Sequence, residues 1–210
     1  MNLRHFIPAV TSLLFFWHWL QLDLDVQPVN TPNRVLELDG QSGKVELPPK
    51  AFWGLKEFTL ETWVKPAQFG RFGVFVSVGS YATNARSFQL HLQQPAAANE
   101  FSTFVRPIRY TQPLVLSTDL RLQPGRWYHV AVAIRGKRLQ TCINGVLSGV
   151  AELFREIEPA EEASPFGFTL GRYREGTGNS APEAFAGQMD EVRLWMVARE
   201  PAAIRQAMFE

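Results

Sequence analysis

Residues 126–151 read RWYHVAVAIRGKRLQTCINGVLSGVA, and this stretch decides the fold. It divides into three short strands separated by Gly136-Lys137 and Asn144-Gly145. A two-residue turn at Gly136-Lys137 sets Val130, Val132 and Ile134 on one face with Ile143, Thr141 and Leu139. That face is almost wholly apolar. The other carries His129, Ala131, Ala133 and Arg135 against Asn144, Cys142, Gln140 and Arg138. Asn-Gly suits a type I′ hairpin, which requires positive φ at both central residues. An antiparallel meander with one apolar face must bury it against a second layer, and a second sheet is the expected partner.

The remainder of the chain extends this pattern. Upstream, RVLEL and KVELP (residues 34–38 and 44–48) flank the turn DGQSG. FTLETWVKP (residues 58–66) alternates, with Phe58, Leu60, Thr62 and Val64 on one side and Glu61, Trp63 and Lys65 on the other. VFVSV (residues 74–78) is continuously apolar, as a strand covered on both faces should be. In SFQLHLQ, Phe88, Leu90 and Leu92 point inward, while Gln89, His91 and Gln93 point to the sheet's other face. FSTFVR, LVLST and FTLGRY supply further strands. GQMDEVRLWMV (residues 187–197) is the last, followed by a short helix with Pro201 in its first turn. The acidic segment 156–165, EIEPAEEASP, reads as a solvated loop. At least ten strands with short turns and one terminal helix describe an all-β, antiparallel two-sheet jelly-roll sandwich.

Residues 1–30 stand apart. Arg4 and His5 precede FIPAVTSLLFFWHWLQL, an apolar run of about 15 residues where a spanning helix needs about 20. The run matches the core of a secretory signal, although no A-x-A-like site follows, so an uncleaved N-terminal membrane anchor stays open. Residues 31–210 form the folded domain, expected outside the cytoplasm: secreted, periplasmic or anchored at the cell surface. Formal net charge is +1, which supplies no field for binding nucleic acid. With a single cysteine, Cys142, no intramolecular disulfide can form. Cys142 is expected to be a small apolar strand residue, with His129 too far along the ladder to activate it.

The ordered blocks LELDGQSGKVELP, FTLETWVKP, GRWYHVAVAIRGKRLQTCINGVLSG, FTLGR and FAGQMDEVRLW, with the trailing helix, resemble the laminin G-like, concanavalin A-like jelly-roll domains. The bacterial laminin-G type is the nearest pattern, and the likeness runs from Val35 to about Met208. It implies two packed antiparallel sheets and a binding role toward a glycan or an extracellular protein, with the membrane met only through the N-terminal segment. It also implies one structural calcium ion where the first strand's end approaches the last strand's start, at Asp39, Gly40 and Asp190. Asp190 shares the parity of Val192 and Leu194, so its carboxylate is expected to lean toward the buried side.

Some glycoside hydrolases share this jelly roll. Their two catalytic carboxylates must stand about 5 Å apart in a retaining enzyme. No strand here offers an alternating pair, since Glu46 and Glu61 are isolated and Asp190-Glu191 point to opposite faces. Only His91 and His129 lie outside the leader, and there is neither a P-loop nor a zinc spacing. A non-catalytic binding module is the leading expectation, with a structural or adhesion spacer and a hydrolase-like enzyme as the alternatives. Tyr81, Tyr110 and Tyr173 fall in or beside loops near Arg106, Arg109, Arg172 and Arg174. An aromatic ring beside a guanidinium is a pair that binds sugars or acidic peptides. Arg109, Tyr110 and Tyr173 are therefore the candidate ligand-binding residues.

Overall fold

The computed structural model describes residues 34–68, 73–80, 88–95, 99–107, 111–118, 120–160, 166–172 and 184–210. The leader, and with it the signal or anchor expectation, lies outside them. Among the described residues no helix is long and apolar enough to cross a membrane.

Two six-stranded antiparallel sheets make up the domain. The first has the order β1 (Leu36–Asp39), β12 (Ala186–Trp195), β3 (Glu57–Pro66), β8 (Tyr128–Arg135), β9 (Arg138–Ile143) and β10 (Val146–Glu152). The second has the order β2 (Val45–Glu46), β11 (Phe166–Leu170), β4 (Gly73–Ser80), β5 (Gln89–Gln94), β6 (Ser102–Arg106) and β7 (Leu114–Ser117). One helix, α1 (Pro201–Ala207), follows β12 and has Pro in its first turn. The architecture is the expected jelly-roll sandwich.

The central meander adopts the register its sequence implies. Val130 pairs with Ile143, Val132 with Thr141 and Ile134 with Leu139. Asn144 and Gly145 both take positive φ, 52° and 70°, as a type I′ turn demands. The Asn144 side chain also accepts the His129 N–H at 2.9 Å, fixing the turn to the start of β8. Gly145 meets a second constraint, because a Cβ there would stand 2.7 Å from Arg205 of α1.

Phe58, Leu60, Val130, Val132, Ile134 and Ile143 are buried against Val76, Val78, Leu90 and Leu92 of the opposite sheet. Val192 and Leu194 pack at the rim of this core and are only partly buried. Phe52, Phe58, Phe88 and Phe168 form an edge-to-face and stacked cluster with centroids 5.2–6.2 Å apart. Such pairs add to area burial by about 0.5–1.5 kcal/mol each. Thr141, the polar member of the apolar face, is satisfied across the sandwich by Thr103 at 3.2 Å between hydroxyls. The acidic segment is not wholly solvated, since Ile157 and Ala160 are buried and Ala160 bridges to Trp53.

The outer face of the first sheet is covered by α1 and its flanking turns. Ile204 packs on Ala131 and Cys142. Trp63 Nε1 donates to the Met208 carbonyl, Arg135 to that of Ala198, and Arg193 to those of Ala207 and Glu210. At the centre lies Glu61, fully buried. It accepts a hydrogen bond from Trp195 Nε1 at 2.8 Å, and the guanidiniums of Arg199 and Arg193 approach it at 3.8 and 3.9 Å. Arg199 in turn lies over the Trp195 ring at 4.1 Å. A buried carboxylate needs such partners, because an unpaired one is strongly destabilising.

A bulge in β12 corrects the expected orientation of Asp190. Asp190 pairs with Trp63, but the next pair is Arg193 with Glu61, so β12 holds one extra residue there. Glu191 takes φ of 51° at that point. The extra residue reverses parity, as β-bulges do. Asp190 therefore shares the outer face with Trp63 and Arg193, whereas Leu194, opposite Leu60, faces the core.

Candidate functional site

With one outer face closed by α1, the outer face of the second sheet is the other broad surface of the sandwich. Strand alternation builds it. Leu90, Leu92, Val105, Leu114 and Leu116 turn to the core, and their neighbours turn out. In register across five strands stand Thr169, Ser77, His91, Phe104 and Val115. Gln89 and Arg106 pair one step along. The row is buried at Thr169, Ser77 and His91, half-buried at Phe104 and exposed at Val115. Access is therefore from the β6–β7 side.

The feature of this face is a three-membered stack. The His91 imidazole lies parallel to the Phe104 ring at 4.8 Å, with 10° between planes. The Arg106 guanidinium lies over the same ring at 5.4 Å. Burial, and then the charge of Arg106, push the His91 pKa down to about 3. His91 is thus neutral at pH 7, and Arg106 carries the positive charge of the stack. The cation–π contact holds the guanidinium beside the ring. At the opposite end of the face, Thr169 Oγ1 donates to the Arg172 carbonyl at 2.8 Å, folding the chain after β11 against the sheet. Arg172 is half-buried, and among the described residues its Nε has no hydrogen-bond partner.

Arg109, Tyr110 and Tyr173, expected to bind ligand, lie outside the described residues, as do Tyr81 and Arg174. Arg106 and Arg172 are described: Arg106 ends β6, and Arg172 follows β11. The structure supplies an aromatic for Arg106 that the sequence reading had not named, Phe104. Its signal was present: Ser102, Phe104 and Arg106 share one parity in FSTFVR. The pairing with His91, from a different strand, has no local signal.

Two other clusters bear on chemistry. His129 Nε2 is 3.9 Å from Glu61, a carboxylate–imidazole pair sealed beneath α1. Burial, then Arg193 and Arg199, hold the His129 pKa down at about 4, so it is neutral beside a carboxylate whose charge two arginines already balance. Burial, then Glu200 and Glu61, push the Cys142 thiol up to about 11, leaving it unreactive as a nucleophile at neutral pH.

Of the residues expected at a metal, Asp39 pairs with Ala186 at the start of β12. Asp39 Oδ1 accepts the N–H groups of Gln41, Ser42 and Gly43 at 2.8–3.2 Å. These bonds hold its carboxyl below the usual carboxylate range. Gly40, with φ of 69°, turns against Ala186. Asp190 lies four residues further along β12, about 13 Å at about 3.3 Å per residue. Its Oδ1 accepts the Glu191 N–H at 2.9 Å. The structure brings Asp39 and Gly40 to the last strand's start and leaves Asp190 apart. Among the described residues, no three His, Cys, Asp or Glu side chains gather as a metal cluster.

Sequence comparison settles the family. The model of the concanavalin A-like lectin/glucanases superfamily matches residues 39–205, which include every strand of both sheets except the first three residues of β1. The chain belongs to this superfamily. Solved structures with the same sandwich include the CBM40 of the Ruminococcus gnavus IT-sialidase. It aligns with a TM-score of 0.67 and 13% identity, over 83% of this chain and 96% of that one. A heptameric SAP-like pentraxin from Limulus polyphemus aligns with a TM-score of 0.59 and 16% identity, over 80% and 78%. Domain 4 of a GH43 extracellular arabinanase from Geobacillus stearothermophilus, in complex with arabinotriose, gives 0.54 and 19%, over 82% and 75%. A search of curated proteins gave no match. Identities this low speak for the superfamily's fold, and the function has to be argued from the face itself.

Proposed function

We propose that this chain is a non-catalytic carbohydrate-binding module acting outside the cytoplasm, and that it binds through the outer face of the second sheet. The observation that carries the reading is the Arg106–Phe104–His91 stack, which holds a guanidinium against an aromatic ring at the accessible side of that face. A guanidinium so held donates paired hydrogen bonds to vicinal hydroxyls or to a sugar carboxylate. Its positive charge favours glycans that carry an acid. In support, the related sialidase CBM40 is known bound to sialyllactose.

Against hydrolysis stands the composition of the same face. Strands β4, β5, β6, β7 and β11 contain no Asp or Glu at all. Glu46 of β2 is the one strand carboxylate of this sheet, and Lys44 pairs with it at 2.9 Å. Glycoside hydrolysis by the usual route requires two acids flanking the bond. Export fits the apolar leader and the extracellular setting of the arabinanase domain.

A calcium ion is part of this proposal only through the family resemblance. Asp39 and Gly40, with backbone and water oxygens, would hold it, and Asp190 would not share it. The function itself is tested by probing the full chain against an array of neutral and sialylated glycans, alongside Arg106→Ala. Binding to acidic glycans that falls at least tenfold in Arg106→Ala supports the reading. Binding that is unaffected by the substitution overturns the assignment to this face.

A further inference from the structure

At one end of the first sheet, beyond Trp63 and its contacts with Met208 and Phe209, Glu37 and Trp127 of the outer face are exposed. Here the ladder places Glu37 of β1 opposite Gln188 of β12, and Gln188 opposite Lys65 of β3. Because Val64 pairs with Tyr128, Trp127 stands level with Lys65 at the head of β8. The Lys65 ammonium is 5.9 Å from the Trp127 ring centroid, consistent with that placement. Four side chains from four adjacent strands thus form one row: carboxylate, amide, ammonium, indole.

Glu37, Gln188 and Lys65 of this row line a cleft of about 220 Å³ together with Leu38, Pro66, Gly125 and Gly187, and Trp127 stands next to it beyond Lys65. Two backbone features keep it open. The Gly125 N–H donates to the Pro66 carbonyl at 2.8 Å, which fastens the turn before β8 to the end of β3 as a wall. Gly187 has φ of 150°, and a Cβ there would stand 2.3 Å from the Lys65 carbonyl, so no side chain can occupy that position. Among the described residues, the side chains of Glu37 and Gln188 have no hydrogen bond or ion pair, and that of Lys65 has only its contact with the indole. Trp127 exposes 36% of its surface, which is high for so large an apolar residue.

We propose that this cleft is a second saccharide subsite, specific for a neutral sugar ring. The inference rests on the carbohydrate-binding reading above and adds a site to it. The exposed indole offers an apolar platform for the C–H face of the ring. Gln188 can donate and accept, Glu37 accepts and Lys65 donates, so the row can satisfy adjacent hydroxyls in both senses. Glu37 and Lys65 cancel in charge, in contrast to the cationic face of the second sheet. The two sites therefore differ in the sugars they select. A small concave site with a few convergent polar groups, here flanked by an exposed indole, is the usual form of a ligand pocket.

Calorimetric titration of the full chain tests this, with sialyllactose as the acidic probe and a panel of arabinose-, xylose-, glucose- and galactose-series oligosaccharides as neutral probes. At least one neutral oligosaccharide should bind and shift tryptophan emission. Trp127→Ala should weaken it at least tenfold and Gln188→Ala several-fold, with melting midpoints and sialyllactose affinity unchanged. A neutral ligand whose affinity stays within twofold in both variants overturns the subsite. So does binding of sialyllactose with no neutral ligand at all, which leaves the second-sheet site standing. A wild-type chain that binds neither class overturns the carbohydrate reading, and the subsite with it.

Discussion

Acid should destabilise this domain well before its carboxylates titrate, because its two described histidines are buried in neutral form. In the folded state His91 has a pKa of about 3, through burial and then Arg106. His129 has about 4, through burial and then Arg193 and Arg199. Glu61 also faces His129, at 3.9 Å, and among the described residues it is the group there that would favour protonation. Unfolded histidine titrates near 6.5. As pH falls below 6.5 the unfolded chain takes up protons that the folded chain refuses, so stability is lost with falling pH. At pH 5 each histidine has been opposed over about 1.5 pH units, or about 2 kcal/mol, giving about 4 kcal/mol together. A domain of this size has about 5–15 kcal/mol to lose. The melting midpoint should drop by roughly 8–16 °C between pH 7 and pH 5. Melts followed by circular dichroism at half-unit intervals would show it, and His129→Gln should remove about half of the slope. A midpoint flat to within 2–3 °C over that range would refute the buried-neutral assignment of both residues.

Other perturbations probe the packing and the ion. Glu61→Ala leaves Arg193 and Arg199 facing each other beneath α1, and should cost about 3–5 kcal/mol in urea denaturation, more than Glu61→Gln. Cys142, hidden under α1, should become reactive to thiol reagents in the same variant, and a Cys142 that stays protected would show that Glu61 does not hold the helix down. Val132→Asp puts a charge at a fully buried position and should abolish cooperative folding, so a soluble variant with unchanged melting would refute the register of β8. If calcium is bound at Asp39 and Gly40, millimolar calcium raises the midpoint of the metal-stripped protein by mass action and Asp39→Asn removes the rise. An unchanged midpoint rules the ion out.

The parts of this fold legible in the sequence are those encoded locally. Asn144-Gly145 and Gly136-Lys137 name their turns, and alternation from Val130 to Ile134 names the buried face, so the β8–β9 register follows from neighbouring residues alone. The bulge at Asp190–Arg193 does not announce itself. Positive φ there falls on Glu191 rather than on a glycine, and counting parity through it turns Asp190 the wrong way. Glu61 looked isolated because its partners Trp195, Arg193 and Arg199 arrive from more than 130 residues downstream. The same reason hides both proposed sites. Phe104 and Arg106 share a parity that can be read from the chain, but His91 joins them only through the β5–β6 pairing. The row from Glu37 to Trp127 exists because β12 inserts between β1 and β3, a topological fact that no stretch of sequence states.

The central claim is that the second sheet's outer face binds carbohydrate through Arg106. The most direct measurement is the affinity of the full chain for sialyllactose and the other acidic glycans of an array, compared with Arg106→Ala and Arg106→Lys. The account predicts measurable binding to at least one acidic glycan, at least a tenfold loss in Arg106→Ala and only partial rescue by Arg106→Lys, because an ammonium cannot reproduce the planar paired donors. Equal binding by all three proteins, or none by the wild type, would contradict it.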